Sequence, residues 1–252
     1  MRTGMENSKL LRTGSRHIGS NPVNDHDWAK LLGSRLALLH ESQREKLPHD
    51  VIILGRPFVI HPGVFSPKYF ESSEAFVSML TFDRSHRFLD LGTGCGVAAA
   101  FAALYGADHV LATDISKAAI ENARENVATL GVAPRVEFRL SDVFREIAAM
   151  EKFTTIFWNC PWVWAPARHI LRDTVEAAVC DPGYLSMNRF LRGARRHLLP
   201  GGHILVGIGN FARLDLFLEL TTDHAYDAEC VARKSSASHP EVKFQLFSLR
   251  PR

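Results

Sequence analysis

Cysteine is scarce in this chain and follows no metal-binding pattern. The 252 residues include four cysteines, none of them in a C-x-x-C spacing: Cys95, Cys160, Cys180 and Cys230. Cysteines without such spacing are more typical of reduced thiols in a cytosolic protein than of a zinc site or a disulfide framework. We therefore expect free thiols, no bound metal and a cytoplasmic location.

Long apolar runs are missing as well. No segment approaches the roughly 20 consecutive apolar residues that cross a bilayer. The first residues are polar and basic, with Arg2, Lys9, Arg12 and Arg16, whereas a secretory signal peptide has an apolar centre. These absences predict a protein with no membrane partner, in which residues 1–24 form a flexible basic tail.

The chain also lacks a strong excess of charge. Its formal net charge is +3, and 46% of its residues are hydrophobic against 23% charged. Nucleic-acid-binding proteins usually concentrate more positive charge on one surface. A small-molecule substrate is therefore the preferred partner. A protein or nucleic-acid acceptor stays open, as does the choice between a monomer and a homodimer.

The first part of the chain, residues 25–84, has the pattern of a small cap or lid. Apolar residues recur at helical spacing, and two short apolar runs then flank a Gly-Arg-Pro turn. The predicted elements are a helix over residues 27–46, a hairpin over residues 51–60 and a helix over residues 72–80 capped by Ser72 or Ser73.

Residues 85–252 alternate between strand and helix patterns and form the predicted catalytic domain. This alternation is typical of a Rossmann-like α/β fold with a mostly parallel sheet. The last two strands are joined by a link too short for a helical crossover, so we expect them to be antiparallel. The predicted strands cover residues 88–91, 109–114, 135–140, 154–158, 203–208, 229–233 and 242–249. The predicted helices cover residues 97–105, 116–130, a stretch ending near residue 199, and 214–222.

A glycine-rich loop joins the first strand of this domain to its first helix. The segment contains Asp90, Gly92, Thr93, Gly94 and Gly96. Glycines at this place let the backbone approach a ligand at the helix N-terminus. A loop that begins with a carboxylate suits the ammonium group of S-adenosylmethionine (SAM), and the loop amides suit its carboxylate. We therefore expect SAM as the cofactor.

Two further acids stand at the ends of the next two strands. Asp114, followed by Ile115, is placed to bind the ribose hydroxyls, and Asp142, followed by Val143, is placed to bind the adenine amino group. Each acid alone is explained equally well as a helix cap or a turn residue. Three acids at three successive strand ends predict one ligand site.

These residues resemble the class I SAM-dependent methyltransferases, and more narrowly the methyltransferase small domain group, which includes release-factor glutamine methyltransferases. The resemblance runs from about residue 51 to the end. It implies a seven-stranded sheet with an antiparallel C-terminal hairpin, and it implies that Phe65 and Ser73 help to cover the cofactor. The release-factor enzymes carry a separate helical domain before the catalytic one, whereas this sequence predicts a helix and a hairpin there.

The sharpest part of the resemblance is the segment Asn159-Cys160-Pro161-Trp162. The family has Asn-Pro-Pro followed by an aromatic residue at this place. There the Asn oxygen and the next carbonyl accept hydrogen bonds from a substrate NH₂ group, and the ring stacks on the acceptor. Such acceptors orient the nitrogen for in-line methyl transfer. Cys160 and Trp162 depart from the pattern and put the identity of the substrate in doubt.

Two more aromatic residues are candidates for substrate contacts. Trp164 follows the motif, and Tyr184 lies in a turn near the predicted acceptor pocket. A packing role is an equal alternative for the tryptophan and the preferred one for the tyrosine.

The sequence predicts a SAM-dependent methyltransferase that acts on a nitrogen of an amide or amine. Alternatives are an enzyme that consumes SAM without external methyl transfer and releases methylthioadenosine, and O- or C-methylation of a small metabolite. A non-catalytic SAM-binding module and a nucleic-acid base methyltransferase also stay open.

Overall fold

The computed structural model describes residues 25–82 and 87–252. The predicted tail over residues 1–24 and the predicted domain boundary at residue 84 lie outside the described residues. The helices are α1 (Asp25–Ser42), α2 (Ser72–Val77), α3 (Val97–Leu104), α4 (Lys117–Thr129), α5 (Leu185–Ala194) and α6 (Leu214–Asp223). The strands are β1 (His49–Ile53), β2 (Arg56–Ile60), β3 (Arg87–Leu91), β4 (His109–Asp114), β5 (Val136–Leu140), β6 (Phe153–Asn159), β7 (Val163–Ala165), β8 (Cys180–Pro182), β9 (Leu198–Gly209), β10 (Tyr226–Ser235) and β11 (Lys243–Pro251).

Seven strands form the main sheet in the order β10-β11-β9-β6-β3-β4-β5. The pairs among β3, β4, β5, β6 and β9 are parallel. Strand β11 is antiparallel to both of its neighbours, β9 and β10. The predicted Rossmann-like α/β fold with an antiparallel C-terminal hairpin is confirmed.

The central strand β3 is buried because helices cover both faces of the sheet. Phe88 packs into the core on the side of α3, and Leu89 packs into the core on the side of α5. Both side chains are 0% exposed. Successive side chains of a strand point to opposite faces, so a strand between two helical layers is apolar at nearly every position. This burial fixes where β3 ends and where the following loop begins.

The ends of α4 follow from its sequence. The Oγ of Ser116 accepts a hydrogen bond from the amide of Ala119 at 3.4 Å, so Ser116 is the N-cap of this helix. Gly131 has φ +74° directly after the helix and ends it, as expected for a left-handed C-terminal residue.

Two features of the segment after β6 differ from the prediction. Strands β7 and β8 pair in parallel in a small separate sheet that the sequence analysis missed, because three-residue strands leave no period to detect. The prediction that this helix ends near residue 199 is wrong, since α5 ends at Ala194 and β9 begins at Leu198. Gly201 has φ +75° and allows an irregular pairing at this end of β9.

The predicted N-terminal helix and hairpin are present. The hairpin β1–β2 is antiparallel, and its second strand is held to α4 because Asn126 Oδ1 accepts from the amide of Val59 at 2.8 Å. Helix α1 packs through Leu39 on Val163 and Val179. None of the described helices is both long and apolar enough to cross a membrane.

Candidate functional site

A cavity of about 510 Å³ opens at the carboxyl ends of the parallel strands. This volume is within the range of small-molecule sites. The cavity brings together most of the residues predicted from the sequence, which are Phe65, Ser73, Asp90, Gly92, Thr93, Gly94, Asp114, Ile115, Asp142, Val143, Asn159, Cys160, Pro161 and Trp162. Gly96, Trp164 and Tyr184 are not among its lining residues.

The glycine-rich loop exposes its backbone to the cavity. Gly92 and Gly94 have φ of +63° and +56°, values that favour glycine strongly. A Cβ on Gly94 would meet nothing within 4 Å, so this part of the loop faces open space. The loop therefore presents main-chain atoms rather than side chains to a ligand.

Gly96 has a different position from the one predicted. Its φ is +88°, and a Cβ here would lie 2.9 Å from the Cβ of Ala123. The residue thus allows the start of α3 to approach α4, and the structure does not place it against the cavity. We correct its expected role from cofactor contact to helix packing.

Asp90 is a buried carboxyl group at the floor of the cavity. Its Oδ2 accepts hydrogen bonds from Thr93 Oγ1 at 2.7 Å and from the amide of Ala99 at 3.0 Å. Burial raises the pKa of Asp90 to about 7, and the two hydrogen bonds oppose this rise. A cation bound at Asp90 would favour the ionised form and lower the pKa again.

Asp114 braces the loop from the neighbouring strand. Its Oδ1 accepts from the amide of Ser116 at 2.8 Å, and its Oδ2 accepts from the amide of Gly94 at 3.0 Å. Burial raises the pKa of Asp114. Each oxygen has a further lone pair for a ligand hydroxyl. Asp142 forms a 3.1 Å ion pair with Arg189 at the partly exposed rim of the cavity.

Asn159 lies at the end of β6 with its amide oriented by a second polar group. Its Nδ2 donates to the Oγ of Ser72 at 3.3 Å. No described residue donates to its Oδ1, which is left as an acceptor in a residue that lines the cavity. The predicted role of Ser72 as N-cap is wrong, because Ser72 lies inside the helix and Glu71 precedes it without a capping bond. Sequence reasoning missed this contact between residues far apart in the chain.

Cys160 is a packed thiol. Its Sγ donates to the carbonyl of Gly207 at 3.3 Å, and its side chain is 2% exposed. Burial raises the pKa of the Cys160 thiol well above its usual range. A neutral thiol is a poor nucleophile, so the residue contributes its position and its carbonyl rather than its sulfur.

Trp162 forms an aromatic wall of the cavity. Its ring contacts Phe76 and Phe244 edge to face, with centroids 5.9 and 5.7 Å apart. The ring also lies against Gly209, where a Cβ would come within 2.2 Å of Trp162 Cε3. Gly209 thus leaves room for this ring, a role that the sequence analysis missed although the spacing Gly207-Ile208-Gly209 at the end of a strand was visible.

The two aromatic residues named as candidates for substrate contacts, Trp164 and Tyr184, have packing positions. Tyr184 is 1% exposed. Its hydroxyl donates to the Trp162 carbonyl at 2.9 Å and accepts from the Arg213 amide at 3.0 Å. These bonds hold the backbone of the motif, in agreement with the packing role preferred for Tyr184 over a substrate contact. Trp164 packs beside Arg213, whose guanidinium carbon lies 5.6 Å from the ring centroid. In the described ranges no cluster of three His, Cys, Asp or Glu side chains could hold a metal ion.

Comparison with known proteins agrees with this geometry. The family model "Methyltransferase small domain" matches residues 55–225. A release factor glutamine methyltransferase of Cereibacter sphaeroides is 36% identical over 163 residues, which are 62% of this chain and 57% of the relative. A ribosomal protein uL3 glutamine methyltransferase of Bradyrhizobium diazoefficiens is 28% identical, over 69% of this chain and 61% of the relative. The chain thus spans less than two thirds of the length of these relatives.

Solved structures share the fold. The ribosomal protein L11 methylase of Lactobacillus delbrueckii superposes with a TM-score of 0.54 at 18% identity, over 77% of this chain and 84% of that chain. A 16S rRNA N2 G1207 methyltransferase of T. thermophilus, in complex with AdoMet and guanosine, superposes with a TM-score of 0.51 at 19% identity, over 81% of this chain and 50% of that chain. The fold is therefore that of the class I methyltransferases. The chain belongs to the methyltransferase small domain family, whose model covers more than half of its residues.

Proposed function

We propose that this protein is a SAM-dependent methyltransferase that methylates a nitrogen atom of an amide or amine. The observation that carries the proposal is the Oδ1 of Asn159, an acceptor without a described donor in a cavity that also contains the glycine-rich loop. A free acceptor oxygen at this point suits the NH₂ group of a substrate. We also propose that residues 25–84 cap the catalytic domain formed by residues 85–252.

The residues of the other half of the cavity fit SAM. When bound, SAM supplies an activated methyl group on a sulfonium. Asp90 would bind its ammonium group and the Gly92 amide its carboxylate, while Asp114, whose Oδ2 already accepts from the Gly94 amide, would accept from the ribose hydroxyls. Asp142 would accept from the adenine amino group, with Ile115 and Val143 against the ring and Phe65 and Ser73 over the cofactor. The open space in front of Gly94 supports this assignment, because a ligand can approach the loop backbone there without meeting a side chain at the Cβ position.

The acceptor nitrogen is oriented by two oxygen atoms. Asn159 Oδ1 and the carbonyl of Cys160 accept its hydrogens, and Pro161 restricts the backbone between them and Trp162. Two fixed acceptors direct the lone pair toward the methyl group and stabilise the positive charge that develops on nitrogen. The Trp162 ring contacts the planar acceptor. The names of the curated relatives, glutamine methyltransferases, favour an amide as the acceptor.

Mass spectrometry of the full chain incubated with SAM and acceptor fractions tests the proposal. We expect S-adenosylhomocysteine to form only when an acceptor is present. Methylthioadenosine formed without an acceptor would contradict the proposal and support the alternative of chemistry within SAM itself. The apolar wall of Trp162, Phe76 and Phe244 is the observation that favours this second candidate, since it excludes water from the sulfonium.

Substitution of Asn159 tests the acceptor role directly. Asn159→Ala should lower turnover by about 100-fold, the order of effect seen when one transition-state hydrogen bond is removed. SAM affinity should change by less than about 10-fold, because the cofactor retains its other contacts. Asn188→Ala, an exposed change on α5 outside the cavity lining, is the matched control and should leave both quantities unchanged. Unchanged turnover in Asn159→Ala would exclude the proposed role.

A further inference from the structure

Helix α1 places a guanidinium group in the wall of the same cavity. Arg35 is one of the lining residues. Its guanidinium carbon lies 4.2 Å from the ring centroid of Phe211, which follows β9 and also lines the cavity. Stacking on a ring holds the planar group in one orientation. The edge of the guanidinium, which carries its N–H donors, is left for another partner.

No such partner occurs among the described residues. The Nε of Arg35 is buried without a hydrogen bond, and no described carboxylate lies within 4.0 Å of the group. The other lining cation, Lys68, is paired with Glu45. Burial lowers the pKa of Arg35, and the charge of Glu241 opposes this effect without forming an ion pair. Arg35 thus has neither a hydrogen bond nor an ion pair among the described residues, although Glu241, which also lines the cavity, offsets part of its charge.

The position of Arg35 is imposed by contacts that the chain makes further along, at His40 and Gln43. His40 Nε2 lies 2.8 Å from Oε1 of the buried Glu176, so α1 is fixed to the segment before β8. Gln43 donates to the Val64 carbonyl at 3.0 Å and accepts from the Gly63 amide at 2.8 Å. Keeping a partly buried charge without a partner is unfavourable. Because these contacts fix α1, the Arg35 guanidinium stays in the cavity wall, where a ligand can bind it.

We propose that Arg35 binds a carboxylate or phosphate group of a small acceptor molecule, so that the substrate class is an amide or amine that also carries an oxyanion. The inference rests on the proposed function. Phe211 follows β9, which lies on the far side of β6 from β3, β4 and β5. Arg35 therefore faces the acceptor half of the cavity rather than the cofactor half. A guanidinium binds such oxyanions through two parallel hydrogen bonds.

Binding of matched probe pairs to the full chain with S-adenosylhomocysteine tests the inference by titration calorimetry. N-acetylglutamine against its neutral methylamide tests for a carboxylate, and phosphoethanolamine against ethanolamine tests for a phosphate. We expect the anionic member of at least one pair to bind about 10- to 100-fold more tightly, as for a hydrogen bond to a charged group. The pair that shows this difference in affinity identifies the oxyanion as a carboxylate or a phosphate.

Three variants separate this role from a structural one. Arg35→Met keeps the aliphatic stem and should abolish the preference for the anion, whereas Arg35→Lys should retain part of it. Lys30→Met removes a charge from an exposed position on the same helix and should behave as wild type. In wild type, the preferred anion should also raise the melting temperature, and in Arg35→Met it should not.

The outcomes that overturn the inference are distinct from failure of the proposed function. Equal or absent binding of both members of each pair in wild type would overturn it, as would a preference that survives in Arg35→Met. Tight binding of an RNA oligonucleotide with no response to either small anion would also overturn it. The proposed function fails separately, when wild type does not bind SAM or does not form S-adenosylhomocysteine.

Discussion

The two halves of the cavity satisfy their polar groups in different ways. In the half formed by β3, β4 and β5, the carboxyl groups of Asp90 and Asp114 already accept hydrogen bonds from the loop that they hold. In the half formed by β6, β9 and α1, aromatic rings make the wall, and neither Asn159 Oδ1 nor the Nε of Arg35 has a hydrogen-bond partner among the described residues. In the half formed by β3, β4 and β5, the carboxyl groups are hydrogen-bonded before a ligand binds. In the other half, a ligand is needed to complete the hydrogen bonds.

This difference separates two kinds of selectivity. A braced loop binds one fixed cofactor with little reorganisation, because its backbone is already in place. A wall with isolated polar groups disfavours molecules that cannot form hydrogen bonds with them. Each buried polar group left without a hydrogen bond lowers the affinity for such a molecule. Changes in the first half should therefore lower cofactor affinity, and changes in the second should lower acceptor turnover alone.

The largest expected effect concerns Asp90. Burial raises its pKa from 3.8 to about 7, so between these values the folded protein holds a proton that the unfolded chain has lost. Its contribution to the free energy of unfolding therefore falls as pH rises through this window, by an amount on the order of 4 kcal/mol. Asp90→Asn should lack this decrease in denaturant unfolding between about pH 4 and about pH 8.

The same variant tests the binding of the ammonium group of SAM. Wild-type affinity for SAM should rise as pH increases through about 7, because the carboxylate form becomes available. Asp90→Asn should bind SAM more weakly and without this pH dependence. Parallel pH profiles of the two proteins would contradict the assignment of Asp90.

Gly96→Ala should be the next largest change. The new Cβ would lie 2.9 Å from Ala123, at a φ of +88°. Strain and overpacking together should lower the free energy of unfolding by about 3 kcal/mol and weaken SAM binding, because the start of α3 moves. Gly131→Ala is the control, since it has a similar φ of +74° but no atom within 4 Å. It should cost about 1 kcal/mol and leave SAM affinity intact.

Gly209→Ala should have a smaller effect confined to the acceptor half. Its Cβ would overlap Trp162, so the ring must move at a cost of about 2 kcal/mol. Acceptor turnover should fall by about 10-fold or more with SAM affinity unchanged. Addition of Trp162→Ala removes the overlap, and the two stability losses should therefore be less than additive. Strictly additive losses in the free energy of unfolding would show that the Trp162 ring does not lie against Gly209.

Tyr184→Phe should have the smallest effect. It removes the hydroxyl that donates to the Trp162 carbonyl and accepts from Arg213, which should cost about 1 kcal/mol and lower turnover without changing SAM affinity. Tyr226→Phe is the control, because that hydroxyl makes an equivalent pair of bonds, to the Leu191 carbonyl and from the Arg195 amide. It should lose similar stability and keep full turnover. An equal loss of turnover in both variants would contradict a specific role for Tyr184.

The braced half could be predicted from the sequence because its signals are local. Asp90, Asp114 and Asp142 each stand at or just after the end of a parallel strand, and these ends meet at one edge of the sheet. Gly96 was assigned to the ligand because spacing alone does not distinguish a glycine that faces a cavity from one that faces a helix. Ala123, which makes that difference, is remote in sequence.

The acceptor half was predicted less completely because its contacts join distant segments. Asn159 stands out through its motif, but its partner Ser72 is 87 positions away. In the sequence, Arg35 is an ordinary charged position on an amphipathic helix. Only the fold shows that its guanidinium stacks on Phe211. The bond between His40 and Glu176, which helps to place it, spans 136 positions. No periodicity or local spacing encodes such pairs.

Strands β7 and β8 form a sheet of their own beside the main one. The connection between them, residues 166–179, can therefore lengthen or shorten without altering the register of the seven-stranded sheet. The entropic penalty for a longer loop grows slowly with its length. Thr174 and residues 177–179 of this connection line the cavity, so evolution can change this side of the cavity while the seven-stranded sheet stays intact.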